Sequence, residues 1–395
     1  MRSILFFDSY HTGLNGAPTS MLSLAVGLKI KGYSVSVGSS SEGGLLKKAT
    51  DSKLDTISIN APKILLLSRK QISFYRRFIY FFSLLLLWFK LLLLKRQQFS
   101  SHDFICINDI RSVLLLLPLL LIYKRKVIWY VRINERVKFV SSIAAFLSEK
   151  IVLISSDCSN VLSCNEKKRY QSKLIVLNTG FKFSELNELV RKDIVQSLPR
   201  GSNRVYITVG SICKRKNQRD IIHAFGKCSS DNDLLFLIGS PTSEEDVGYQ
   251  NELIHLIDEL GISGNVIRVP HTPYVHEYLS VSDIFMFSSH REGLPRVVIE
   301  ALHAGCFVCS SLVDGITDII CDKSKGLITN KKSQHPDFFD EFISIVSAVD
   351  DKDLEQRAER SKYVSRRFDY DMFIKGFIEV LESINRGGHG IEKRG

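Results

Sequence analysis

The chain has 395 residues, 45% apolar and 24% charged, with a formal net charge of +11. One hydrophobic core rarely grows to that length, so two domains are expected, and the ordinary apolar-to-charged balance excludes a largely disordered chain. Eight cysteines, Cys106, Cys158, Cys164, Cys213, Cys228, Cys306, Cys309 and Cys321, are scattered mostly through apolar runs, which reads as reduced, cytosolic packing and not as a disulfide framework.

In chain order, SILFFD at 3–8 reads as a first strand, and its SILFF core is too short for a secretory signal. Gly13, Asn15 and Gly16 then permit a tight turn, after which Met21, Leu22, Leu24, Ala25 and Leu28 repeat at helical spacing. Neither GxGxxG nor a Walker A lysine is present, so dinucleotide and P-loop readings lack support. SVSVG, DTISIN, DFICIN, KVIWYV, KIVLIS and KLIVLN continue as strands; RVYITVG, LLFLIG, NVIRVP, IFMFSS and CFVCSS follow in the second half. This βαβα rhythm predicts parallel sheets covered by helices, with ligands beyond the carboxyl ends of strands. The polar segment 187–203 is the expected linker. The CFVC at 306–309 has no second ligand pair at zinc-site spacing and suits a buried strand.

Charge is unevenly placed: residues 1–185 hold 27 Lys and Arg against 11 Asp and Glu, and the remainder 26 against 31. A basic half attracts nucleic acid, anionic lipid or phosphorylated substrates. Here the cations border apolar runs, which favours lipid over nucleic acid. FIYFFSLLLLWFKLLLL at 78–94 lies between Arg76, Arg77 and Lys95, Arg96; VLLLLPLLLI at 113–122 precedes Lys124, Arg125 and Lys126. Lys90 interrupts the first run and Pro118 the second, and both fall short of the ~20 apolar residues of a spanning helix. On one continuous helix, Arg69, Lys70, Arg76, Arg77, Lys90 and Lys95 fall within an arc of roughly 160°, which suits a helix lying partly in a lipid surface, with a buried core helix and true insertion as the other possibilities.

Two stretches carry candidate chemistry. RVYITVGSICKRKNQRD sets Ser211, Lys214, Arg215 and Lys216 after a strand and before a helix, where cations suit a diphosphate; a solvated basic loop is the plain alternative. HREGLPRVVIEALHAG places Glu292 eight residues before Glu300, with Pro295 a natural first helical residue and the N–H groups of Gly293, Leu294, Arg296 and Val297 between them. Alternatively Glu292 complements the helix dipole and Glu300 pairs with Arg296.

Taken in order, GLNGAPTS, LIVLNTGFKF, VGSICKRKNQ and SSHREGLPRVVIEALHAG resemble the retaining, GT-B fold glycosyltransferases of family 4, the last segment matching their E-x7-E signature. The resemblance implies an α/β chain of two Rossmann-like parallel-sheet domains facing each other across a cleft: 1–190 binding the acceptor, 198–367 binding the nucleotide-sugar donor, a helix near 368–386 crossing back onto the first domain, and a flexible tail 387–395. It implies Glu300 on the donor ribose, Glu292 near the transferred sugar, Lys216 against the leaving diphosphate, and Ser211, Arg215, Gly293, Leu294, Arg296, Val297 and Gly16 in donor binding. No metal or other cofactor is expected, since fixed cations and a helix terminus supply the positive charge.

The sequence departs from the family in two places. Ser211 stands where an arginine is common, with Arg215 as the substitute. Asn108, Asp109 and Arg132 stand where many members carry a histidine, and His102 and His11 fall off the motif and read as surface or loop residues. A lipid-linked or oligosaccharide acceptor follows from the basic, apolar first half, with assembly of lipopolysaccharide, capsule or exopolysaccharide as the setting and the cytoplasmic, inner face of the cell membrane as the location. Two other readings stay open: a sugar-nucleotide epimerase of the same fold, and a non-catalytic membrane-associated binding protein.

Overall fold

The computed structural model describes residues 2–10, 16–67, 73–123, 126–183, 185–199, 201 and 203–386. The chain divides into two compact units, Met1–Gly180 with Tyr370–Gly395, and Phe181–Asp369.

The first unit holds a seven-stranded sheet in the order β3-β2-β1-β4-β5-β6-β7. Its strands are β1 (Ser3–Asp8), β2 (Ser34–Ser39), β3 (Asp55–Ser58), β4 (Phe104–Ile107), β5 (Val127–Val131), β6 (Lys150–Leu153) and β7 (Leu174–Val176). All the pairings are parallel. Ile4 to Phe7 and Val127 to Val131 are buried along their whole length, because helices on both faces of a parallel sheet leave no wet side. The strand order reverses between β1 and β4, and Asp8 and Asn108 stand at that point.

Helix Ile110–Ile122 buries Val113, Leu115, Leu116, Leu119 and Leu120, so the second apolar run is a core helix despite Pro118. The first run is not. Lys63–Leu66 is a short 3-10 turn, and the long helix begins only at Phe74. The cation arc drawn from Arg69 is therefore not one helix, and Arg69 and Lys70 lie outside the described residues. His102 lies on a loop, as expected, but is buried there and not at the surface, with its ring bonded to Ser36 Oγ at 2.9 Å and the Gln98 carbonyl at 2.9 Å.

Helix Tyr370–Arg386 belongs to this first unit. Phe377 packs its ring on Phe6 and Tyr130 at 5.8 and 6.2 Å, and Tyr370 donates to the Ser23 carbonyl at 2.6 Å. The tail 387–395, His11, Gly13, Asn15, Lys124 and Arg125 lie outside the described residues.

The second unit holds a six-stranded parallel sheet in the order β10-β9-β8-β11-β12-β13. Its strands are β8 (Val205–Val209), β9 (Leu234–Ile238), β10 (Val266–Val269), β11 (Ile284–Phe287), β12 (Phe307–Ser310) and β13 (Gly326–Ile328). Twelve of the thirteen strands coincide with the runs expected from sequence; β13 is the addition. Cys306 and Cys309 are buried in and beside β12, with the Cys306 thiol bonded to the Leu279 carbonyl at 3.1 Å and pushed up to about 12 by burial.

The expected linker 187–203 is instead largely a helix of the second unit, Glu188–Ser197. Asn187 caps it by accepting from the N–H groups of Leu189 and Val190, while its own N–H donates to Glu277 at 2.9 Å, and Ile194 is buried. The division between units falls at Gly180–Phe181, ahead of this helix.

Candidate functional site

In the second unit the strand order reverses between β8 and β11, and in an open α/β sheet that is where the carboxyl ends of two strands leave a crevice for a ligand. The loop after β8 carries Ser211 and Lys214–Lys216; the loop after β11 carries Ser288 to Pro295. Hydroxyls and backbone tie the two together. Ser288 Oγ donates to the Asn217 carbonyl at 2.7 Å, and the His290 N–H donates to the Arg215 carbonyl at 2.9 Å. Asn217 adopts a left-handed φ of 53°, which turns the chain from the basic loop into helix Gln218–Cys228.

Within this frame Lys216 Nζ lies 2.8 Å from Glu292 Oε1 and Arg215 Nη1 lies 3.0 Å from the same oxygen. Ser289 Oγ adds a third donor at 2.8 Å. Burial would raise the Glu292 pKa, but the ammonium of Lys216 and then the guanidinium of Arg215 outweigh it and hold the carboxyl below its ordinary value. Lys216 also sits 5.3 Å from the Phe287 ring centroid. Glu292 is thus an ion-pair partner on a loop, not a first-turn acid of the helix.

Helix Arg296–His303 starts one residue later than expected, with Pro295 as its N-cap and no side chain capping it. The N–H groups of Arg296 and Val297 open the helix and have no acceptor inside it. The Arg296 guanidinium lies over the Phe181 ring at 4.9 Å, and Arg296 and Glu300 form no salt bridge among the described residues. Glu300 is half-buried; burial raises its pKa, and the charge of Arg296 only partly offsets this. A carboxylate without a side-chain partner beside a helix N-terminus can accept two hydrogen bonds from a ligand.

Two glycines that sequence patterning did not single out fix these loops. A Cβ on Gly239, which has φ +149°, would lie 1.9 Å from the Gly210 carbonyl oxygen, so the ends of β8 and β9 approach only because it is glycine. A Cβ on Gly315, at φ +80°, would lie 2.3 Å from the Gly293 oxygen, so Gly315 seats the Gly293–Leu294 turn. A cavity of about 510 Å³ is lined by Ile212, Leu237, Gly239, Ser240, Arg268 and Pro270 among others; none of Ser211, Glu292 and Glu300 lines it.

Of the other expected site residues, Ser211 is half-buried and its carbonyl accepts from Gln218 at 2.9 Å, so it brings no charge to the loop. Gly16 opens helix Gly16–Ile30 in the first unit. Asn108, Asp109 and Arg132 are placed together in that unit: Asn108 donates to Asp8, Arg132 Nε donates to Asn108 Oδ1 at 2.7 Å, and Asp109 caps helix Ile110–Ile122. Among the described residues no group of three or more His, Cys, Asp or Glu is placed to hold a metal ion.

The second unit has a sequence likeness to a known family. Residues 190–364 match the family described as glycosyl transferases group 1. The chain is 27% identical over 182 residues to the capsular polysaccharide biosynthesis glycosyltransferase CapH of Staphylococcus aureus, covering 45% of this chain and 47% of CapH. It therefore spans about half the length of that relative. Among solved structures, HepE of Anabaena with UDP bound superposes with a TM-score of 0.74 at 16% identity, covering 97% of this chain and all of that one (100%). WaaG, a glycosyltransferase involved in lipopolysaccharide biosynthesis, does so with a TM-score of 0.62 at 14% identity, covering 95% and 99%. The fold is that of the GT-B glycosyltransferases.

Proposed function

We propose that this chain is a retaining glycosyltransferase of family 4 that moves a sugar from a nucleotide-sugar donor to a growing, lipid-linked glycan during capsule, lipopolysaccharide or exopolysaccharide assembly. The observation that carries the donor half is the Lys216–Glu292 pair at the strand-order reversal of the second unit, 2.8 Å apart, next to a helix N-terminus. A sugar diphosphate entering there exchanges the carboxylate of Glu292 for its own oxygens on Lys216, and the N–H groups of Leu294, Arg296 and Val297 meet the distal phosphate. As the glycosidic bond breaks, negative charge grows on the leaving diphosphate, where a fixed cation stabilises it most. Glu300 holds the ribose hydroxyls, and Glu292 lies near the transferred sugar. These groups supply the positive charge without calling on a metal.

The acceptor half rests on the basic, apolar character of the first 185 residues, which suits a phosphate-bearing glycan whose lipid stays in a membrane. The enzyme then works peripherally, at the cytoplasmic face of the cell membrane. The names of CapH and WaaG, tied to capsule and lipopolysaccharide, support the same setting.

The test is incubation of the purified chain with UDP-, GDP- and ADP-sugars while free nucleoside diphosphate is measured. Slow release with one donor, accelerated by a lipid-linked glycan, is the expected result. Interconversion of sugars without transfer would make it an epimerase, and silence with every donor contradicts the proposal.

A further inference from the structure

Among the described residues, the helix from Phe74 to Ser100 is 27 residues long, with a mean hydropathy of 2.0 over its most apolar stretch, only 17% of which is buried. Phe78, Phe82, Leu86, Phe89 and Leu93 are exposed by 59%, 60%, 70%, 65% and 64%. The helix is nevertheless held in place. Leu84, Leu87 and Leu91 are buried, and Trp88 Nε1 donates to the Leu114 carbonyl of helix Ile110–Ile122 at 3.0 Å. At about 100° per residue, Leu84, Leu87 and Leu91 form one stripe, and Phe78, Phe82, Leu85 and Phe89 form the opposite one. Between Phe78 and Phe89 no charged side chain falls on that outward stripe. Arg76, Arg77 and Lys90 lie to either side of the packed stripe, Lys95 and Arg96 follow at the far end, and Phe74–Ser100 contains no Asp or Glu.

We propose that the outward face of this helix is embedded in the headgroup–acyl boundary of an anionic lipid leaflet, lying in its plane, while the inward stripe stays packed on the first unit. Charge and geometry select this occupant. Cations flanking an uncharged aromatic face reach anionic headgroups while the rings enter the acyl region. A second copy of the helix would instead bring like charges together with no carboxylate on it to pair them. Crossing the bilayer would strip Leu84, Leu87 and Leu91 from their packing and place Lys90 in hydrocarbon. The inference deepens the peripheral placement above and shares with it only the location, because vesicle binding is measured with no sugar donor present; failed transfer and failed binding are separate results.

The experiment uses the full chain and vesicles of mixed phosphatidylglycerol and phosphatidylcholine. Phe78→Ser, Phe82→Ser and Phe89→Ser together should lower partition by about tenfold or more with no change in melting temperature. The parent should keep most of its binding in high salt, since apolar contact is not screened. The added emission of Phe82→Trp should shift to the blue and be quenched more by lipid carrying a nitroxide near the headgroup than near the chain terminus. Unchanged partition of the folded triple variant overturns the proposal, as does quenching strongest at the bilayer centre, which would mark a span. Loss of a solution dimer with vesicle binding kept would assign the face to a second copy. Should the triple variant fail to fold, the Phe82→Trp quenching decides alone.

Discussion

Glu300 is a carboxylate that no side chain satisfies among the described residues, in a place where burial raises its pKa. If it grips ribose hydroxyls it must be ionised to do so, so nucleotide affinity should fall on acidification at a pH above the usual carboxylate range. Titrating the parent with UDP or GDP across pH checks this; affinity flat down to ordinary carboxylate pH contradicts it. Lys216→Ala removes the cation that matters most as charge develops on the diphosphate, and should lower turnover by about 10²-fold, or ~2.7 kcal/mol, in the release assay. A variant within threefold of the parent would assign Lys216 to a structural ion pair with Glu292.

Asp8 is a second carboxyl raised by burial, in the first unit. Burial first, and then the nearby Asp109, raise its pKa from 3.8 to about 7 against hydrogen bonds from Asn108 and Tyr10. An acid raised in the folded state binds more protons there than in the unfolded chain, so its contribution to stability falls as pH climbs from about 4 to 7. Asp8→Asn should flatten that part of the stability profile. An identical slope in parent and variant would show that Asp8 is not the group responsible.

The ends of elements depend on contacts that no local pattern carries. Gly315→Ala must force a Cβ toward the Gly293 oxygen from a positive φ, so it should lower the melting temperature and weaken nucleotide binding together, by roughly 1–3 kcal/mol in stability. Full stability and affinity in that variant would mean the Gly293–Leu294 turn relaxes at no cost. Twelve strands were legible because buried parallel strands are short runs of β-branched, aromatic and aliphatic residues. The thirteenth, Gly326–Ile328, is three residues opening on glycine, and only its pairing with β12 makes it a strand. The helix Glu188–Ser197 passed for a linker because Ile194 is its one buried residue; composition alone cannot tell such a surface helix from a tether. The spacing of Glu292 and Glu300 was visible in sequence, whereas the pairing of Glu292 with Lys216, 76 positions away, was not. Nor was it visible which side of the apolar helix packs, because its run is apolar on every side.

At the scale of the molecule, the last helix returns to the unit in which the chain began, so the first unit's core is closed by residues far away in sequence. Phe377, fully buried between Phe6 and Tyr130, carries much of that closure. Phe377→Ala should destabilise the first unit's unfolding transition by about 3–5 kcal/mol, read from denaturant melts. A loss below about 1 kcal/mol would show that the helix is peripheral to that core.

The central claim is that the second unit's strand-order reversal is a nucleotide-sugar site. It is tested most directly by calorimetric titration of UDP and GDP into the parent and into Glu300→Gln, with thermal melts as the check on folding. The substitution keeps size and shape but turns an acceptor-only carboxylate into an amide. Affinity for one nucleotide should fall by about tenfold, or ~1.4 kcal/mol, at an unchanged melting temperature. Equal affinity in the folded variant, or no binding of either nucleotide by the parent, would contradict the account.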